Sequence, residues 1–161
     1  LKAMMLCDEL AQYHHNRIKR LVKMPKIHVL DPAFAMWSFG LPRELAGLHD
    51  SGQIGAIYES WVFAELAKIL EYESHHLELT SWHTRDQAEV DIILTRGRQS
   101  VPLEIKCKRK IARRDLSGIK SWLSVHDHET PAVYIVYCGT KLEQLDEKIW
   151  ALPDHRLLGV S

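Results

Sequence analysis

Apolar positions recur at three- and four-residue spacing from Gln53 to Leu70. Ile54, Ile57, Trp61, Val62, Leu66, Ile69 and Leu70 form one broad stripe there and predict the strongest helix in the chain. A strand follows at about Leu77 to Trp82. Two runs with period-two character come next, Glu89 to Thr95 (EVDIILT) and Val101 to Lys108 (VPLEIKCK). Arg96-Gly97-Arg98-Gln99 between them has turn chemistry, so the pair reads as an antiparallel hairpin. Arg113 to Ser124 predicts a second helix through Leu116, Ile119 and Leu123. Ala132 to Cys138 (AVYIVYC) is almost unbroken apolar sequence, as in a strand covered on both faces. Ile149 to Leu152 predicts a last short strand. Helix, three strands, helix and strand in that order describe an α/β domain with a mixed sheet.

The chain before Gln53 is less regular. Asp8 to Val22 has helical character, with Leu10, Tyr13, Arg17, Ile18 and Leu21 at mixed three-to-four spacing. Lys26 to Leu30 (KIHVL) reads as a short strand. Asp31-Pro32 supplies an N-cap and a first-turn proline for a short helix ending near Gly40. Leu41 to Gly52 holds Pro42, Gly47 and Gly52 and reads as a loop or weak helix. It divides an N-terminal helical appendage and entry strand (1–52) from the core (53–161).

With 161 residues, 46% of them hydrophobic and 26% charged, the chain suits one globular domain. Its 21 basic and 21 acidic residues cancel, so any contact with nucleic acid must come from a local cluster. Cys7, Cys107 and Cys138 are odd in number and widely separated. They offer neither a disulfide framework nor zinc-ligand spacing, and they fit a reducing cytoplasm. No apolar run approaches a membrane span. The chain opens at Leu1 in what reads as the middle of an element, which predicts a fragment or C-terminal domain of a longer protein.

On the predicted strand, Glu104 and Lys106 project from one side, and Leu103, Ile105 and Cys107 from the other. Asp91 interrupts the apolar run of the paired strand, where a lone carboxylate is costly unless paired or bound to a cation. Two carboxylates across a hairpin suit Mg²⁺, which takes one or two of them together with water and substrate phosphate. Lys106 beside them is placed to orient a water or stabilise charge on phosphate. Glu59 borders the helix stripe and can reach over the strand edge. Taken singly, each of these residues has a plainer reading: a solvated ion pair, a strand bulge or a helix flank. Their order makes the set worth testing as one site.

Lys106 to Arg114 (KCKRKIARR) places six basic side chains in nine residues. Lys108, Arg109, Lys110, Arg113 and Arg114 are the candidate phosphate contacts, and a solvated strand end is the plainer account. The histidines lack metal-ligand spacing and read as surface residues. Trp61, Trp82 and Trp122 read as core. Glu65 reads as a spare ligand or a partner for Lys68 or Lys106.

Asp91 with Glu104-Ile105-Lys106 resembles the signature of the PD-(D/E)XK phosphodiesterase superfamily, and Glu59 matches the acidic residue of its first core helix. The chain is similar to one branch in particular, a domain that follows AAA+ ATPase modules in prokaryotic proteins. Three segments carry that likeness: Lys23 to Asp31 (KMPKIHVLD), Gly55 to Leu66 (GAIYESWVFAEL), and Trp82-His83-Thr84-Arg85 followed by Ala88-Glu89-Val90-Asp91. In the family's pattern the basic residue more usually follows the aromatic directly, so the role of Arg85 is open. The likeness covers roughly Lys23 to Leu158. It implies a restriction-endonuclease-like αβββαβ core and a Mg²⁺- or Mn²⁺-dependent DNA hydrolase. In that reading Asp91, Glu104 and Glu59 are metal ligands and Lys106 assists the attacking water. It also implies DNA as partner, an ATPase upstream in the same chain and possible homo-oligomers. No G-x-x-x-x-G-K-[ST] loop occurs, so this segment is not the ATPase. Two other readings stand beside hydrolysis. One is a nuclease-like domain used only to bind nucleic acid or a partner; the other is an α/β scaffold with an internal salt-bridge cluster.

Overall fold

The computed structural model describes residues 6–14, 24–42, 52–72 and 77–159, with positions 44 and 47. Its centre is a six-stranded mixed sheet in the order β3-β4-β5-β6-β8-β7. The strands are β3 (Glu78–His83), β4 (Glu89–Arg96), β5 (Gln99–Lys106), β6 (Val133–Tyr137), β7 (Glu143–Gln144) and β8 (Ile149–Pro153). Strands β3, β4 and β5 are antiparallel neighbours, whereas β5, β6 and β8 run parallel. Two further strands, β1 (Cys7–Leu10) and β2 (Lys26–Val29), form a separate antiparallel ribbon. Among the described residues there are four α-helices: α1 (Pro32–Ser38), α2 (Ile54–Tyr72), α3 (Ser117–His126) and α4 (Asp154–Leu157).

The sheet is covered on both faces. On one, Val62, Phe63 and Leu66 of α2 pack with Ile92, Leu103, Ile105 and Val136. On the other, Ile119 and Trp122 of α3 pack with Val90, Ile93, Val133, Ile135 and Ile149. Strand β6 thus sends Ile135 one way and Val136 the other, as its apolar run predicts. Leu10 joins the α2 side, so the N-terminal ribbon shares the main core.

The hairpin forms as expected. Arg96 pairs with Gln99, and Gly97 takes φ +61° in the two-residue turn, where strand-matching turns need a positive φ. Asp31 caps α1, its Oδ1 accepting from Phe34 N at 2.8 Å. The parallel β5–β6 pair requires a crossover. A 3-10 turn at Arg113–Leu116 and α3 provide it.

The helix predicted at Asp8 to Val22 is corrected in part. Residues Cys7–Leu10 are a strand, because β1 finds hydrogen-bond partners in β2 from Cys7↔Val29 to Leu10↔Lys26. Long-range pairing overrides the local spacing there. Residues 15–22 of that prediction, and most of the loop predicted at 41–52, lie outside the described residues.

Strand β4 carries a bulge. Thr80 pairs with Ile93 and Trp82 with Val90, so Asp91 and Ile92 together oppose Ser81. Ser81 turns its backbone outward instead, donating to Ala11 O at 2.8 Å and accepting from Tyr13 N. The bulge brings Val90 onto the same face as Ile93 and sets Asp91 at the end of the β4–β5 ladder.

Candidate functional site

Lys26, on β2, is the focus of the charged groups. Its Nζ lies 2.7 Å from Glu59 Oε1, 2.6 Å from Glu89 Oε1 and 3.2 Å from Asp91 Oδ1. The three carboxylates come from α2, the start of β4 and the β4 bulge. Burial acts to lower the Lys26 pKa, but Asp91 and Glu59 outweigh it and hold the ammonium above its ordinary value. Glu59 moves the other way. Burial first and the Asp91 charge second push it up to about 7, against the pull of Lys26.

Asp91 is 7% exposed, and its second oxygen, Oδ2, accepts the backbone N–H of Ile105 at 2.8 Å. His28 lies behind the cluster, stacked on Phe63 with ring centres 4.3 Å apart. Its Nδ1 is 3.3 Å from Ser60 Oγ and its Nε2 is 3.9 Å from Glu59 Oε1. Burial, with Lys26 adding to it, lowers the His28 pKa to about 4, so the ring is neutral.

Glu104 and Lys106 form a second group. Lys106 Nζ lies 2.5 Å from Glu104 Oε1, while Glu104 Oε2 is buried with no hydrogen-bond partner. Both alternate with Leu103 and Ile105, which pack toward α2, so they project toward α3. There Glu104 lines an open cavity of about 370 Å³ with Glu89, Ser117 and Gly118. Gly118 permits this closeness, since a Cβ at that position would stand 1.9 Å from Glu89 O. Burial, then Asp91, push Glu104 up to about 8, with Lys106 opposing.

The four residues singled out in sequence therefore meet around one end of the β4–β5 pair as two ion-paired groups. Glu59 reaches it from the α2 side, and Glu104 with Lys106 from the α3 side. Asp91 lies between them, and its charge is felt by both glutamates. As arranged, Glu59 and Asp91 are drawn to Lys26 and Glu104 to Lys106, rather than toward one common point. Mg²⁺ needs oxygens at about 2.0–2.1 Å, and the point shared by three carboxylates is filled by Lys26 Nζ. Among the described residues no group of three or more His, Cys, Asp or Glu side chains is placed to hold a metal.

Lys26, Glu89 and His28 are the partners that the strand and helix patterns did not single out. Lys26 lies within the Lys23 to Asp31 segment and Glu89 within Ala88 to Asp91, neither with a role assigned from sequence. The surface reading of the histidines needs correcting for two of them. His28 is 1% exposed, and His126 stacks on Trp122 at 4.1 Å and pairs with Glu129. His83 is exposed and bonds to Gln12. Trp82 and Trp122 are core, as expected, while Trp61 packs against its edge. Glu65 pairs with Lys68 at 2.7 Å.

In the basic run, Lys108 pairs with Asp115 at 2.6 Å, and Asp115 Oδ2 also accepts Ala112 N, which folds the loop back on itself. Arg109, Lys110, Arg113 and Arg114 are exposed and make no ion pair among the described residues. Arg109 and Lys110 border a cavity of about 250 Å³ beside Tyr137 and Glu143. No helix among the described residues is long and apolar enough to cross a membrane.

No curated protein and no solved structure matches the chain significantly. One family does match, over residues 54–157, from the start of α2 to the end of α4. That span holds Glu59, Asp91, Glu104 and Lys106 but leaves out Lys26, and by it the chain belongs to the family described as Domain of unknown function (DUF4143).

Proposed function

We propose that this domain has a restriction-endonuclease-like core that grips DNA by its phosphates without cutting it, and that it serves an ATPase module in the same polypeptide. The observation that carries the reading is the Lys26 ammonium seated on Glu59, Glu89 and Asp91. A tethered cation there already neutralises the carboxylates on which a hydrolytic ion would have to rest. Grip falls to Arg109, Lys110, Arg113 and Arg114, whose charges are exposed and free of acidic partners among the described residues. Arginines in such a run suit bidentate contacts to phosphate oxygens. The contacts would be to backbone, so affinity is expected to depend on salt more than on sequence.

The test is fluorescence anisotropy with single- and double-stranded DNA at several salt concentrations, followed by long incubation of the same DNA with Mg²⁺ or Mn²⁺. Salt-sensitive binding that ignores the metal, with the DNA left intact, is the expected result. Metal-dependent cleavage that disappears in Asp91→Ala would overturn the reading and restore hydrolysis. Absence of binding at low salt would leave protein docking as the role.

A further inference from the structure

Cys107 and Cys138, more than thirty positions apart in sequence, meet in space with their sulfurs 3.9 Å apart. They stand one position past the last paired residues of parallel neighbours β5 and β6, Lys106↔Tyr137. The backbone keeps them side by side, since Cys138 N donates to Lys108 O at 3.0 Å. Neighbouring strands lie about 4.8 Å apart, inside the Cα separation of about 4.4–6.8 Å that a disulfide spans. Closing the sulfur gap therefore calls for side-chain rotation more than backbone movement. Both thiols are free and partly exposed.

We infer that this pair is an oxidation site, converted by hydrogen peroxide to an intramolecular Cys107–Cys138 disulfide. The inference stands apart from the DNA-binding reading. Burial first, and the neighbouring Cys138 next, push the Cys107 thiol up to about 11. The atoms balance alike whichever sulfur attacks first, as for Cys138. Its thiolate takes one peroxide oxygen, the O–O bond breaks, and hydroxide leaves with the thiol proton as water. The Cys107 sulfur then attacks the Cys138 sulfenic acid. An S–S bond forms, the S–O bond breaks, and a second water carries off the remaining proton. Two thiols are oxidised and one peroxide is reduced, giving two waters. The bridge would staple the ends of β5 and β6 and enclose the segment holding the basic run and α3.

The experiment exposes the purified chain to hydrogen peroxide, alkylates the remaining thiols and maps peptides by mass spectrometry without reduction. The expected product has lost two hydrogen atoms and joins the Cys107 and Cys138 peptides, with Cys7 still alkylated. Dithiothreitol reverses it, and Cys107→Ser or Cys138→Ser abolishes it. Mapping of the unsubstituted chain decides the matter even if a variant folds poorly. Bridges through Cys7 or between molecules, or oxygen addition without a Cys107–Cys138 peptide, would overturn the inference.

Discussion

The backbone N–H of Ile105 donates to Asp91 Oδ2 at 2.8 Å, beyond the point where the β4–β5 ladder ends at Ile92↔Leu103. The other oxygen of the same carboxylate faces Lys26 at 3.2 Å. One side chain thus ties the central strand to the N-terminal ribbon, and structure alone gives it a reason to be acidic.

Asp91→Ala should therefore unfold more readily than the parent even if no chemistry is lost. An orphaned Ile105 N–H and a weakened hold on Lys26 should cost about 3–5 kcal/mol. Asp91→Asn keeps an acceptor for Ile105 and should lose less. Urea denaturation of the two variants ranks them, and equal losses would count against the backbone contact.

Lys26→Met leaves Glu59, Glu89 and Asp91 facing one another without their cation. Destabilisation of about 2–3 kcal/mol is expected at pH 8. It should shrink at pH 5.5, where Glu59 can hold a proton, since its pKa is already about 7 with Lys26 present. A loss of the same size at both pH values would contradict the charge argument.

Stability should fall as pH rises from 6.5 to 8. Glu104 and Glu59 have ordinary values of 4.5 and folded values of about 8 and 7, so the fold retains protons that the unfolded chain has released. Their contribution is full below about pH 4.5 and is lost progressively from there to about pH 8. His28 acts in the opposite sense, with a folded value of about 4 against 6.5, but its effect is confined to pH below about 6.5. The expected fall is about 1–2 kcal/mol. Glu104→Gln should flatten it and be more stable than the parent at pH 8; chemical denaturation at pH 6.5, 7.2 and 8 gives the comparison.

Gly118→Ala should be among the most damaging small substitutions in the chain. The added methyl carbon meets Glu89 O at 1.9 Å, so α3 or the start of β4 must move. A loss of about 2–4 kcal/mol is expected, read as a lowered thermal midpoint.

Arg113→Ala and Arg114→Ala should weaken DNA binding to a similar degree on every sequence. Each should reduce the slope of log affinity against log salt by about 1. Lys108→Ala should do less to binding and more to stability, because Lys108 is committed to Asp115.

The order of the core elements could be read in sequence because their patterns are local. The stripe from Ile54 predicts α2, and Gly97 marks the hairpin turn. Long-range pairing could not be read that way. The start of the Asp8 to Val22 pattern looks helical until β2 supplies a partner for Asp8–Leu10, and the two residues of β7 form a strand only against β8. The same holds for the charged cluster. Asp91, Glu104 and Glu59 stood out as acids in apolar settings. Lys26, on an N-terminal strand, carried no sign that it would cross to meet them, and alternation along β5 alone did not show that Glu104 would face α3.

The β4 bulge makes the position of Asp91 depend on how many residues lie between Val90 and Ile93, as well as on which they are. Deleting one residue there would restore a regular pleat against β3 while every charged group was still present in the sequence. Within such a lineage, loss of the cluster could come from a single codon removed, with no acidic residue substituted.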